Sequence, residues 1–139
     1  MAINAELPAY LREHPDMDVL WDETTISISM SNDILSLKKE LRSDGILSVI
    51  PLSVYRGMTL QPAVDAALFF LQDSIDRFNA AAERILLAAP AGTADHKAIT
   101  DFVDVLETNQ TGHHYWSIRS GRYFLAGTVR EDGSMDIKL

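Results

Sequence analysis

An all-α fold follows from three stretches of this 139-residue chain. From Met17 to about Arg42 there is no Gly or Pro, and Met17, Leu20, Trp21, Ile28, Leu35 and Leu41 recur at near-helical spacing. From Thr59 to about Ala88, the residues Val64, Ala67, Leu68, Leu71, Ile75, Phe78, Ala82, Ile85 and Leu86 form a 3–4 repeat. A third stretch, about Asp95 to Ile118, carries Ile99, Phe102, Val103, Leu106, Gln110, His113 and Trp116 at the same period. The length is one domain's worth, so the expectation is a single helical bundle over residues 1–139.

Taken in order, Glu6 to Glu13 reads as a short, weakly helical opening, with Pro8 in its first turn and Pro15 closing it. Asp16 is placed to cap the first long helix and Asp44-Gly45 to stop it, Gly being the usual residue just past a helix end. Thr24–Ser31 is rich in β-branched residues and serines, which are poor helix formers, so a break or distortion is expected near Thr24–Ser27. Strand competes for that segment, but continuity with the turns of 32–40 favours helix. Ile46 to Tyr55 is apolar around Pro51 and reads either as a short helix starting near Pro51 or as an apolar connector, punctuated by Gly57. Thr59 caps the second long helix, which takes Pro62 in its first turn. Pro90, Gly92 and Thr93 form a loop, and Gly112 weakens the last helix by about 1 kcal/mol relative to Ala without ending it. From about Gly121 the tail is irregular, with one short extended piece. Trp21, Phe69, Phe70, Phe78 and Phe102 are expected in the core.

Composition narrows the function. Twenty Asp+Glu against twelve Lys+Arg give a formal net charge of −8, so neither nucleic acid nor an anionic membrane surface would be attracted at long range. Local basic groups such as Lys38, Lys39, Arg119 and Arg122 remain suited to a small anion. There is no cysteine, which excludes disulfides, thiolate metal sites and cysteine nucleophiles. The first residues lack a basic region followed by an apolar run, and Ala66–Leu71 is far too short to span a bilayer. A cytoplasmic protein is the expectation.

The most informative stretch is Ser31 to Leu41. Asn32, Ser36 and Glu40 are spaced i, i+4, i+8, which on a helix keeps them within about 80° over about 12 Å of axis. An amide oxygen, a hydroxyl and a carboxylate are three hard donors, suited to a magnesium-like cation that retains waters or phosphates. Thr25 and Ser29 project within about 20° of Ser36 and lengthen the stripe. A polar stripe is first of all a solvent face. Solvent faces are dense in Lys and Glu, however, whereas this one is small and hydroxylated up to Glu40, which suits a cavity wall. His113 and His114 are adjacent, so on a helix they cannot face one ligand, and a zinc site is not expected. Ser36 has no G-x-S-x-G context and no partner base, so it is not read as a nucleophile.

Asn32-Asp33-Ile34-Leu35-Ser36-Leu37-Lys38-Lys39-Glu40 resembles the N-D-x-x-S-x-x-K-E form of the second metal-binding motif of class I terpene synthases, the fungal, trichodiene synthase-like sesquiterpene synthases in particular. His113 to Phe124, H-H-Y-W-S-I-R-S-G-R-Y-F, is similar to that family's C-terminal W-S-…-R-Y segment. About 80 residues separate the two motifs, in the family's order, and Leu60 to Asp65 looks like its L-Q-x-A-V/M-D helix.

The resemblance implies the C-terminal half of the class I terpenoid synthase fold. It implies one magnesium ion on Asn32, Ser36 and Glu40, and diphosphate contacts from Lys39, Arg122 and Tyr123. A guanidinium gives bidentate, charge-assisted bonds to phosphate, and a phenol adds one directed donor. The substrate implied is a prenyl diphosphate, farnesyl diphosphate first, ionised and cyclised to a sesquiterpene. The family's D-D-x-x-D-type motif does not occur: Asp16, Asp18, Asp22 and Glu23 lie upstream on the same helix as Asn32 and cannot stand opposite it. The alternatives are therefore a truncated or inactive relative, self-associating or requiring a missing N-terminal half, and a helical interaction domain.

Overall fold

The fold is a computed structural model that describes residues 6–42, 48–125 and 127–137. Its helices are α1 (Ala9–Arg12), α2 (Pro15–Arg42), α3 (Val49–Tyr55), α4 (Leu60–Ala88) and α5 (Ala94–Arg119). Among the described residues the only β pairing is an isolated antiparallel bridge between Val129 and Met135, so the all-α expectation holds. No helix among them is long and apolar enough to cross a membrane. Two compact units form, one from residues up to Ser27 with Gln72–Thr111, the other from Ile28–Leu71 with the chain from Gly112 onward.

In the first unit α2 begins where Pro15 presets φ and needs no N–H partner. The cap differs from expectation. His14 supplies it, its carbonyl accepting from Met17 N–H (2.9 Å) and its Nδ1 from Asp16 N–H (3.2 Å). Asp16 lies inside the first turn, buried, and its carboxylate takes two Nε contacts of 3.1 Å and an Nη2 contact of 2.6 Å from Arg84. Seven residues on, the buried Glu23 accepts from Ser74 Oγ (2.7 Å) and from Arg77 Nε (2.6 Å) and Nη2 (3.1 Å), and Arg77 also pairs with Asp73. Around these pairs Leu11, Met17, Leu20, Phe78, Ile85, Ile99, Val103 and Leu106 form one apolar cluster from α1, α2, α4 and α5.

No break occurs at Thr24–Ser27. Thr24 Oγ1 donates to Leu20 O (2.7 Å) and Thr25 Oγ1 to Trp21 O (2.9 Å). Ser27 Oγ lies 3.1 Å from Thr24 O and 2.8 Å from Gln110 Oε1 on α5. Hydroxyls that bond back to their own helix satisfy themselves without leaving it, which removes the competition that lowers their propensity.

In the second unit, Leu37, Ile50, Ala63 and Ala67 are buried with Ile34, Val54, Leu60 and Val64 against them, joining α2, α3 and the first half of α4. Helix α3 starts two residues before Pro51, which thereby sits in the first turn, where a missing N–H costs nothing. It ends in a Schellman arrangement: Met58 N–H reaches Ser53 O (3.1 Å) and Gly57 N–H reaches Val54 O (2.9 Å), with Gly57 at φ 101°. Thr59 O accepts from Ala63 N–H at the start of α4. The expected Asp44-Gly45 stop and Ile46 lie outside the described residues. After α5, Leu35 packs with Tyr123 and Leu125, flanked by Ile118, Met135 and Ile137. Phe124 between them takes φ 59°, a strained value for a bulky residue, costing about 1–3 kcal/mol that burial of its two neighbours offsets.

The aromatic core expectation holds for Phe78 and fails for three others. Trp21 is 51% exposed although edge-on to Phe102 at 5.6 Å, Phe69 is 77% exposed and Phe70 45%; Leu68 and Leu41 are exposed as well.

The buried carboxylates set an acid limit on stability. Hydrogen bonding to Arg84 holds the Asp16 carboxyl below its ordinary range, and Arg77, with Ser74, does the same for Glu23. The unfolded chain then binds protons more readily, so this stabilisation is complete above the unfolded values near pH 4 and disappears as pH falls through the lower folded ones. The urea midpoint should hold from pH 7 to about 5 and drop below about pH 4. Glu23→Gln should cost about 2 kcal/mol at pH 7 and flatten that acid limb.

Candidate metal centre

The face of α2 that carries Asn32, Ser36 and Glu40 lies in the second unit. Ser36 is buried (3% exposed), while Asn32 and Glu40 are half-buried. Ser36 Oγ donates to Glu40 Oε1 at 2.5 Å, so the second and third members of the triad already share one spot. Asn32 is fixed from the other end of the chain: Tyr123 O–H donates to Asn32 Oδ1 at 2.8 Å across a separation of 91 residues. That bond orients the amide with its oxygen, the atom a hard cation takes, toward the phenol. The upstream part of the stripe differs from expectation. Thr25 and Ser29 are exposed, so of the stripe only Asn32, Ser36 and Glu40 are half-buried or buried.

Tyr123 is buried in the cluster with Leu35 and Leu125, and the Trp116 ring stands edge-on to it at 6.4 Å. Arg122 beside it is exposed, its guanidinium 5.7 Å from the Tyr123 ring centroid. Among the described residues Arg122 pairs with no carboxylate. Lys39 is half-buried on α2 next to Glu40. Structure thus joins Asn32 with Tyr123 and Ser36 with Glu40, and brings Arg122 in as the neighbour of Tyr123.

Two contacts escaped sequence reasoning. Ser48 Oγ, in a buried residue immediately before α3, donates to Glu40 Oε2. Val49 N–H donates to Asp33 Oδ2 at 2.9 Å. Burial pushes the Asp33 carboxyl above its usual range; the Val49 N–H opposes this and the Glu40 charge reinforces it. No local motif announces either contact, because 43–47 separate the partners along the chain.

The histidines part company as their adjacency requires. His114 Nδ1 lies 3.3 Å from Ser31 Oγ. His113 Nδ1 is buried without a partner among the described residues, and desolvation, with His114 second, lowers its pKa and keeps the ring neutral at pH 7. Among the described residues no group of three or more His, Cys, Asp or Glu side chains is placed to hold a metal. The donor set on α2 is of a different kind: one anionic and two neutral oxygens, fitting a hard divalent ion that keeps part of its shell for water or phosphate.

Comparison with known proteins gives the same direction. Residues 1–77 match the family model described as terpene synthase family 2, C-terminal metal binding. The sesquiterpene cyclase hepA of Aspergillus oryzae is 30% identical over 131 residues, 91% of this chain and 35% of that protein. The terpene cyclase braA of Annulohypoxylon truncatum is 33% identical over 134 residues, 94% of this chain and 35% of its own. A guaia-6,10(14)-diene synthase of Fusarium proliferatum is 26% identical over 96% of this chain and 32% of its own. The chain spans about a third of the length of these curated relatives.

The long-range bond to Asn32 has a measurable worth. Tyr123→Phe deletes only the phenolic oxygen and should lower stability by about 1 kcal/mol, seen as an earlier thermal transition with unchanged helix content.

Proposed function

This chain belongs to terpene synthase family 2, and from that premise we propose that it grips the diphosphate of a prenyl substrate through a magnesium ion held by Asn32, Ser36 and Glu40. The observation that carries the reading is Ser36 Oγ 2.5 Å from Glu40 Oε1, with Asn32 one turn back on α2 and its amide oxygen oriented by Tyr123. When bound, the ion supplies Lewis-acid assistance to the departing diphosphate. The chain's own groups do the rest. Arg122 offers a planar fork of N–H donors to two phosphate oxygens, and Lys39 adds a compact positive charge beside the triad. Tyr123 has one O–H, which serves Asn32 Oδ1 before substrate arrives and turns to a phosphate oxygen afterwards.

Relatives whose names speak of sesquiterpenes support farnesyl diphosphate as the substrate, ionised and cyclised to a C15 hydrocarbon or alcohol. A second reading rests on the sequence. With no D-D-x-x-D-type cluster in it, the chain binds metal and diphosphate without ionising the substrate unaided.

One measurement separates these readings, and a second tests the metal assignment they share. Incubation with farnesyl diphosphate and magnesium, with headspace analysis, yields a volatile sesquiterpene on the first and none on the second. On both, magnesium-dependent binding of inorganic pyrophosphate should be lost in Asn32→Ala and Glu40→Ala, and weakened about tenfold or more in Arg122→Ala. Binding unchanged in the two triad variants would sink the metal assignment.

A further inference from the structure

Ser48 stands at the cap position of α3, its carbonyl accepting from Leu52 N–H at 3.1 Å. A serine there ordinarily turns its hydroxyl onto a first-turn N–H of its own helix. Ser48 makes no such bond. Its hydroxyl goes instead to Glu40 Oε2, and the exposed Val49 N–H is taken by Asp33, a carboxylate from another helix. Both diversions run the same way, from the start of α3 to the face of α2 that bears the triad. Ile50, one residue further on, is fully buried against Leu37 with Ile34 and Val54 packed alongside, so the segment that carries Ser48 is anchored by apolar contact as well.

From this geometry we infer that Ser48 is a positioning residue of the metal site, locking the Glu40 carboxylate through Oε2 so that Oε1 faces Ser36, with Asp33 holding Ser48 in place. The inference rests on the reading of Asn32, Ser36 and Glu40 as metal ligands. Glu40 is half-buried near the end of α2 and turns about three side-chain bonds. An untethered glutamate would have to lose that rotamer freedom when it binds a metal. A hydroxyl on each oxygen fixes the carboxylate plane in advance, which is how outer partners of metal ligands raise affinity. Ser48 touches Oε2, and the contact with Ser36 is on Oε1, so the tether and the triad do not compete for one atom.

The test is titration of the 139-residue chain with manganese(II) alone, free ion being read by its electron paramagnetic resonance. Ser48→Ala should bind about tenfold more weakly, the lower end of what loss of an outer partner costs, and Ser48→Thr should restore most of the affinity. Asp33→Ala should weaken binding less, and Asp33→Asn, which keeps an acceptor for Val49 N–H, less still. In the unaltered chain, metal should slow hydrogen exchange at the Val49 and Leu52 amides, a response that a merely structural Ser48 would not give. Ser48→Ala binding as tightly as the unaltered chain or tighter, or exchange at those amides indifferent to metal, overturns the inference. Failure of the unaltered chain to bind manganese overturns the ligand reading itself, and this inference with it.

Discussion

A carboxylate taken out of water needs a donor, and α2 meets that requirement four times. Asp16 and Glu23, seven residues apart, take Arg84, and Arg77 with Ser74; Asp33 and Glu40, again seven apart, take the Val49 N–H, and Ser36 with Ser48. Seven residues are two turns, so each pair lies along one face. The donors differ in kind. Arginines meet the first pair, where the charge is neutralised and the result is packing. Neutral hydroxyls and an amide are among the donors to the second pair, and they hold those carboxylates in position.

That distinction separates what the sequence recorded from what it did not. Helices α2, α4 and α5 were legible because periodicity is a local property, and their ends fell within a few residues of Pro15, Thr59 and Arg119. The resemblance carried by 32–40 and 113–124 was legible for the same reason. Ser48 was not, since a serine reached across 43–47 has no period and no motif. Neither was His14 as the cap of α2: Asp16 is the better cap by type, but Arg84 on α4 claimed its carboxylate. Thr24–Ser27 misled in the opposite direction. Low helix propensity there measures how readily hydroxyls bond to backbone, and here the backbone they bond to is the helix.

Apolar spacing had a limit of its own. Along α4 it marked Leu68 and Phe78 alike, yet Phe78 is buried and Leu68 is exposed, as are its neighbours Phe69 and Phe70. A period of 3.6 reports that a face is apolar and is silent on what covers it. In a chain spanning about a third of its relatives' length, an uncovered apolar face is therefore no contradiction of the helix assignment.

The charge on the proposed site decides what it can attract. Magnesium on one carboxylate and two neutral oxygens keeps a net charge near +1, whereas three carboxylates would leave it near −1. A unit of charge 4 Å from a phosphate is worth about 4 kcal/mol at an effective dielectric of 20, and its sign separates capture from repulsion. The chain as a whole carries −8, but that field is screened beyond about 8 Å at physiological ionic strength. Next to the triad in sequence Lys39 adds a positive charge and Asp33 a carboxylate whose charged form burial disfavours, while Asn32 and Ser36 contribute nothing negative. Replacing Asn32 by Asp is isosteric and gives a stronger metal ligand, yet it would cancel the net charge proposed to hold a diphosphate. On the proposed reading, the neutrality of two ligands is thus as much a part of the site as the carboxylate of the third.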